Sequence, residues 1–97
     1  MKEKDIEDIL RRGVRKLGGI AYKFTSPGNA GVPDRIVVMP GSKLFFVELK
    51  TETGKLSQIQ KRQIDRLEER GIKTIVLYGE GQVLEFLDYL AGGNGES

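Results

Sequence analysis

The 97 residues carry 16 Lys and Arg against 14 Asp and Glu, with 38% apolar and 31% charged residues, a size and balance suited to one globular domain. There is no Cys and no His, which excludes disulfides, thiolate metal sites and His-based triads, and leaves any metal to carboxylates, carbonyls and water, so to Mg²⁺ or Mn²⁺ rather than Zn²⁺. The net charge of +2 hides an asymmetry: all 16 bases fall in residues 1–79, where the net charge is +6, and residues 80–97 carry 4 acids and no base, so the basic body suits a polyanionic partner.

Residues 3–17 read as a helix, because Ile6, Ile9, Leu10, Val14 and Leu17 share one stripe at helical spacing and Gly18-Gly19 ends it. Glu3 and Glu7 lie near its start, where acids are favoured in any case. At about 100° per residue, Glu3 projects near the centre of the apolar stripe and Glu7 towards its edge. Glu3 is therefore the one expected to point between helix and sheet. Residues 20–25 read as a strand with Tyr22 and Phe24 on one face. Ser26 to Pro33 is a loop rich in Gly, Pro and Asn, suited to ordering on a substrate. Lys23, Ser26, Asn29 and Arg35, in or beside this loop, are candidate phosphate contacts. Most other bases, including Arg66 and Arg70, read as solvated helix faces. Strands follow at 34–39 and 44–50, and the turn Pro40-Gly41-Ser42 makes them an antiparallel hairpin. Thr51 to Lys55 is a loop. Ser57 and Gln60 have capping-box spacing at the start of a helix running to Arg70. Its apolar face is Leu56, Ile59, Ile64 and Leu67. Residues 73–78 are near-continuously apolar and read as a strand buried within the sheet. Gly79 and Gly81 flank a turn before a helix over 82–90, whose Val83, Leu84, Phe86, Leu87 and Leu90 divide between core and interface. Residues 92–97 read as a disordered tail, leaving one domain at 1–91. The order is that of an α/β layer fold with a mixed sheet. No run is long enough to span a membrane, no signal-peptide pattern is seen, and an intracellular setting is expected.

Asp34 opens one strand of the hairpin, and Glu48-Leu49-Lys50 closes the other. Residues two apart share a face, so Glu48 and Lys50 lie together with Leu49 opposite, and the hairpin brings Asp34 beside Glu48. Singly, Asp34 reads as a turn residue after Pro33, and Glu48 and Lys50 as a solvated strand end. Together they are harder to dismiss, because a Glu closing a strand buried on both faces needs a partner or a metal. Two hard oxygen ligands and an ammonium make a site for a divalent cation and a phosphate. Gln60 has two readings, one as a cap and one as an amide near the Glu48–Lys50 strand end. Gly54-Lys55 is followed by Leu56, so no Walker A motif is present.

Pro33-Asp34 followed by Glu48-Leu49-Lys50 resembles the PD-(D/E)XK nuclease motif. The longer strings resemble the VRR-NUC (virus-type replication-repair nuclease) family: Lys23 to Gly28, Gly31-Val32-Pro33-Asp34-Arg35, Phe46 to Lys50, and Leu56-Ser57 with Gln60, together with Glu3. The resemblance spans Glu3 to about Leu87. It implies a restriction-endonuclease-like αβββαβ core and metal-dependent hydrolysis of DNA to a 5′-phosphate and a 3′-hydroxyl. It implies that Asp34, Glu48, the Leu49 carbonyl and Glu3 hold Mg²⁺ or Mn²⁺, that Lys50 positions the attacking water, and that Gln60 orients Lys50 or the phosphate. Minimal members resemble phage or prophage proteins, implied to be homodimers that cut branched DNA such as four-way junctions. Larger members act on flaps. A subunit of a phage complex and a non-cutting branched-DNA-binding module are the alternatives.

Overall fold

The computed structural model describes residues 2–92. In chain order the elements are α1 (Glu3–Lys16), β1 (Ile20–Lys23), β2 (Arg35–Met39), β3 (Lys43–Lys50), α2 (Gln58–Glu69), β4 (Thr74–Tyr78) and α3 (Gly79–Leu90). The strands form one sheet in the order β1-β2-β3-β4. The first two pairings are antiparallel and β3–β4 is parallel, so the sheet is mixed. A parallel neighbour needs a crossover, and α2 supplies it. Gly41 and Ser42 both have positive φ, 83° and 65°, the backbone that matches the strand twist across a tight hairpin.

Alternation along the strands fixes the two faces. Val37, Met39, Phe45, Val47, Leu49 and Leu77 point to one side and are buried there against Ile6, Leu10 and Val14 of α1 and Val83 and Phe86 of α3. Phe45 and Phe86 meet edge-on with centroids 5.6 Å apart. Each fully buried side chain of this kind contributes about 1.5–3 kcal/mol, so this face holds the fold together. Acids in the first turn of α1 and bases in its last complement its dipole.

The other face is thinly covered. The expected buried face of α2 is only partly covered: no residue of the helix is buried, Ile64 and Leu67 are half-buried, and Ile59 is 48% exposed. The structure differs from the sequence reading at β1, β4 and α3. β1 ends at Lys23, and β4 lies at the sheet edge, where only Leu77 is buried. The apolar run of β4 reflects its parallel pairing with β3 rather than a central position. α3 begins at Gly79, with both glycines inside its first turn, because the Gln82 side chain accepts the Tyr78 N–H at 2.9 Å and ties the strand end to the new helix. Of the expected tail, residues 93–97 lie outside the described residues.

Candidate active site

The β2–β3 register pairs Arg35 with Val47, which sets Asp34 opposite Glu48. Asp34 occupies a bend before β2, and its carbonyl accepts the Phe24 N–H at 2.8 Å. That bond fastens the bend to the end of β1. Glu48 is 5% exposed. Lys50 shares its face, with Nζ 3.9 Å from Glu48 Oε2. The Leu49 side chain turns into the core, fully buried, so only its backbone groups face the site.

Gln60 combines both of its readings. Its Oε1 accepts the Ser57 N–H at 2.9 Å while Ser57 Oγ accepts the Gln60 N–H at 3.1 Å, a complete capping box. With Oε1 so committed, Nε2 points to the sheet and donates to Glu48 Oε2 at 3.1 Å. The cap therefore aims the amide. Its partner is Glu48, where the sequence reading had expected Lys50 or a phosphate.

Glu3, Glu7 and Asp34 offer carboxylate oxygens that all lie within 4.8 Å of one another. Burial is the main cause that raises the Asp34 carboxyl above its ordinary range, with the Glu3 and Glu7 charges adding to it and the Leu49 N–H drawing it back. Burial, and then the charge of Asp34, push Glu48 up to about 7, against the pull of Lys50. Asp34 Oδ1 is buried and, among the described residues, has no hydrogen-bond partner. A buried, unpaired carboxylate oxygen beside other carboxylates is costly unless a cation joins it. The donors are all hard oxygens, so the set fits a divalent metal of the Mg²⁺ or Mn²⁺ type.

Two sequence expectations change here. Glu7 joins Glu3 at the site rather than standing aside from it. Glu7 is half-buried, whereas Glu3 is exposed. Arg35 is not available to DNA: it is 8% exposed, donates to Glu7 Oε1 at 3.2 Å and donates to the Ala21 carbonyl at 3.3 Å. Alternation explains it, since Arg35 shares the inward face of β2 with Val37 and Met39. An arginine on a core-facing strand position signals a hidden acid, and that signal was present in the sequence. Lys23 and Asn29 are exposed and Ser26 is half-exposed.

The family model of the VRR-NUC domain matches residues 3–81. A protein of Acyrthosiphon pisum secondary endosymbiont phage 1, named "Putative nuclease p44", is 49% identical over 77 residues, covering 79% of this chain and 83% of that protein. A solved structure described as a VRR_NUC domain superposes with a TM-score of 0.83 at 28% identity, over 90% of this chain and 95% of that one. A second, described as a VRR_NUC domain protein, has a TM-score of 0.69 at 20% identity, over 93% and 88%, and speaks to the fold alone.

Proposed function

Because the chain belongs to the VRR-NUC family of nucleases, we propose that it is a Mg²⁺-dependent endonuclease that cuts branched DNA, four-way junctions above all, as a homodimer. The observation that carries the catalytic part is the unpartnered, buried Oδ1 of Asp34 within reach of Glu3 and Glu7 and opposite Glu48.

In this reading Asp34, Glu48 and the Leu49 carbonyl would hold a divalent ion, with Glu3 and Glu7 beside them, and a bound ion would supply positive charge for the scissile phosphate and lower the pKa of water. Lys50 Nζ, on the same strand end, positions the attacking water and faces the negative charge that grows on the phosphate oxygens. The water oxygen bonds to phosphorus as the bond to the 3′ oxygen breaks. The water's proton is lost to solvent and the 3′ oxygen takes one up, leaving a 5′-phosphate and a 3′-hydroxyl. Gln60 holds Glu48 in place, and Arg35 holds Glu7.

The dimer is supported by the uncovered sheet face. Ile20, Val38 and Leu44 form one cross-strand row, and Tyr22, Ile36 and Phe46 the next. Ile20, Tyr22 and Leu44 are 51%, 55% and 47% exposed. A twofold pairing over this face gives two sites for one junction. Among the described residues no helix is long and apolar enough to cross a membrane. A phage or prophage origin in a bacterial cell completes the reading.

The test is cleavage of a labelled four-way junction, a flap and a linear duplex with Mg²⁺, Mn²⁺ or EDTA, beside Asp34→Ala. Paired, metal-dependent cuts at the junction that vanish in Asp34→Ala are expected. Cutting of the flap alone moves the reading to a repair nuclease. Binding with no cutting under any metal leaves a binding module or a subunit that needs a partner.

A further inference from the structure

A concavity of about 260 Å³ lies between the glycine-rich loop and α2. Ser26 and Asn29 line it from the loop, and Gln63, Arg66 and Arg70 from the helix. Val32 and Leu67 complete the wall, and among the described residues no carboxylate lines it. Each of the five polar side chains can donate a hydrogen bond. Ser26 Oγ accepts from Asn29 Nδ2 at 2.8 Å, which leaves its hydroxyl proton free to turn outward. Among the described residues no acid pairs with Arg66, and the one acid near Arg70 is Glu69, at 4.0 Å on the surface, while Arg70 Nη1 also donates to the Arg66 carbonyl at 2.9 Å.

The groove is built rather than incidental. Gln63 Nε2 donates to the Ala30 carbonyl at 3.1 Å and clips the loop to the helix. Gly31, at φ +89°, lets the loop approach so closely that a Cβ there would sit 2.9 Å from the backbone carbonyl of Ile59. At about 100° per residue, Gln60, Gln63, Arg66, Leu67 and Arg70 share one arc of α2, and Asp65, Glu68 and Glu69 lie on another together with Lys61 and Arg62.

We propose that this groove seats a backbone phosphate of the nucleic-acid substrate and that α2 measures the distance from it to the cleavage site. The proposal rests on the nuclease reading above. Two guanidiniums among neutral donors recognise an anionic diester in any sequence. Gln60 stands on Glu48 at one end of the arc. Arg66 and Arg70 follow it at a rise of about 1.5 Å per residue, roughly 9–15 Å away. On a duplex rising about 3.4 Å per base pair, that is roughly three to four base pairs from the cut.

The experiment is a salt titration of binding, in EDTA, to two duplexes of unrelated sequence, with cleavage by the parent protein assayed separately in Mg²⁺. The double variant Arg66→Ala, Arg70→Ala should lower the slope of log K against log salt by about one on both duplexes, since the single phosphate contact contributes about 0.9. Its melting temperature and its Mn²⁺ affinity by calorimetry should match the parent's. Arg12→Ala, Arg15→Ala, which removes equal charge from α1, should keep the parent slope. An unchanged slope in the Arg66, Arg70 variant, or a loss on one sequence only, overturns the groove while a parent that still cuts keeps the nuclease reading. A parent that neither binds nor cuts DNA overturns both.

Discussion

Glu48 carries a cost that the metal-free protein shows as pH dependence. Its carboxyl titrates at about 7 in the folded chain and near 4.5 when unfolded. Between those values the folded state keeps a proton that the unfolded state has released, so stability falls as pH rises through this window and levels off above it. Asp34, also raised, adds in the same direction. At about 1.4 kcal/mol per pH unit, Glu48 alone contributes on the order of 3 kcal/mol. In EDTA the parent should melt lower at pH 8 than at pH 5, by a margin on the order of 10 °C given about 4–8 °C per kcal/mol for a domain of this size. Glu48→Gln should remove most of that difference and also abolish cleavage. Equal melting of the parent at both pH values would refute the strained-carboxylate account. Gln60 gives a second test at this scale. Gln60→Glu keeps an acceptor for the Ser57 N–H but faces Glu48 with another carboxylate. Loss of one hydrogen bond to a charged group, about 1.5–3 kcal/mol, should slow cleavage roughly 10- to 100-fold. Cleavage at the parent rate would show that the amide only caps the helix. Asp34, Glu48, Lys50 and Gln60 were legible in the sequence because strand alternation and capping-box spacing are local rules. The preference for Glu3 came from one helix considered alone, without Arg35 from the neighbouring strand, which holds Glu7.

At the scale of elements, the glycine-rich loop and α2 depend on one close approach. Gly31 and Gly28 both have positive φ, but a Cβ on Gly31 meets the Ile59 backbone at 2.9 Å and one on Gly28 meets nothing within 4 Å. Gly28→Ala should cost only the left-handed backbone term, about 1 kcal/mol. Gly31→Ala should cost clearly more, about 2–4 kcal/mol, in chemical denaturation. Equal costs would mean that the loop does not pack on the helix. Arg35→Met tests the opposite face: it leaves Glu7 half-buried and unpaired, and should cost about 2–4 kcal/mol, whereas Arg35→Met with Glu7→Gln should recover much of it. The order of elements was legible because periodicity and glycine punctuation mark helices and turns within a few residues of chain. The edge position of β4 was not, since its parallel partner is set by the crossover and its apolar run resembles that of a central strand. The start of α3 was missed because Gln82 reaches back to Tyr78 past two glycines that ordinarily break helices.

At the scale of the whole molecule, the two faces of the sheet have unequal fates. One is sealed by α1 and α3. The other leaves Ile20, Tyr22 and Leu44 about half exposed in adjoining cross-strand positions, with Ile59 of α2 at 48% beside the same layer. Scattered apolar side chains on a surface need no explanation, but contiguous ones on a flat sheet mark a contact. An interface of standard size buries about 800 Å² per partner, and Asp34 and Glu48 form the next row of this face, so the contact would be centred on the Ile20–Val38–Leu44 end, which leaves the carboxylates at its rim. On α3, Val83 and Phe86 are buried in the core and Leu84 is 49% exposed, so its apolar stripe divides between core and surface. Charge placed on the rows should therefore separate the protomers without touching the carboxylates. Tyr22→Lys with Leu44→Lys should sediment as a monomer where the parent sediments as a dimer, and should melt within a few degrees of parent monomer obtained by dilution. On a four-way junction the variant should still cut single strands in Mg²⁺, because each site is complete within one chain, but the two incisions should become uncoupled. A parent that sediments as a monomer at tens of micromolar, or a variant that still makes coupled cuts, would remove the sheet face as the dimer contact.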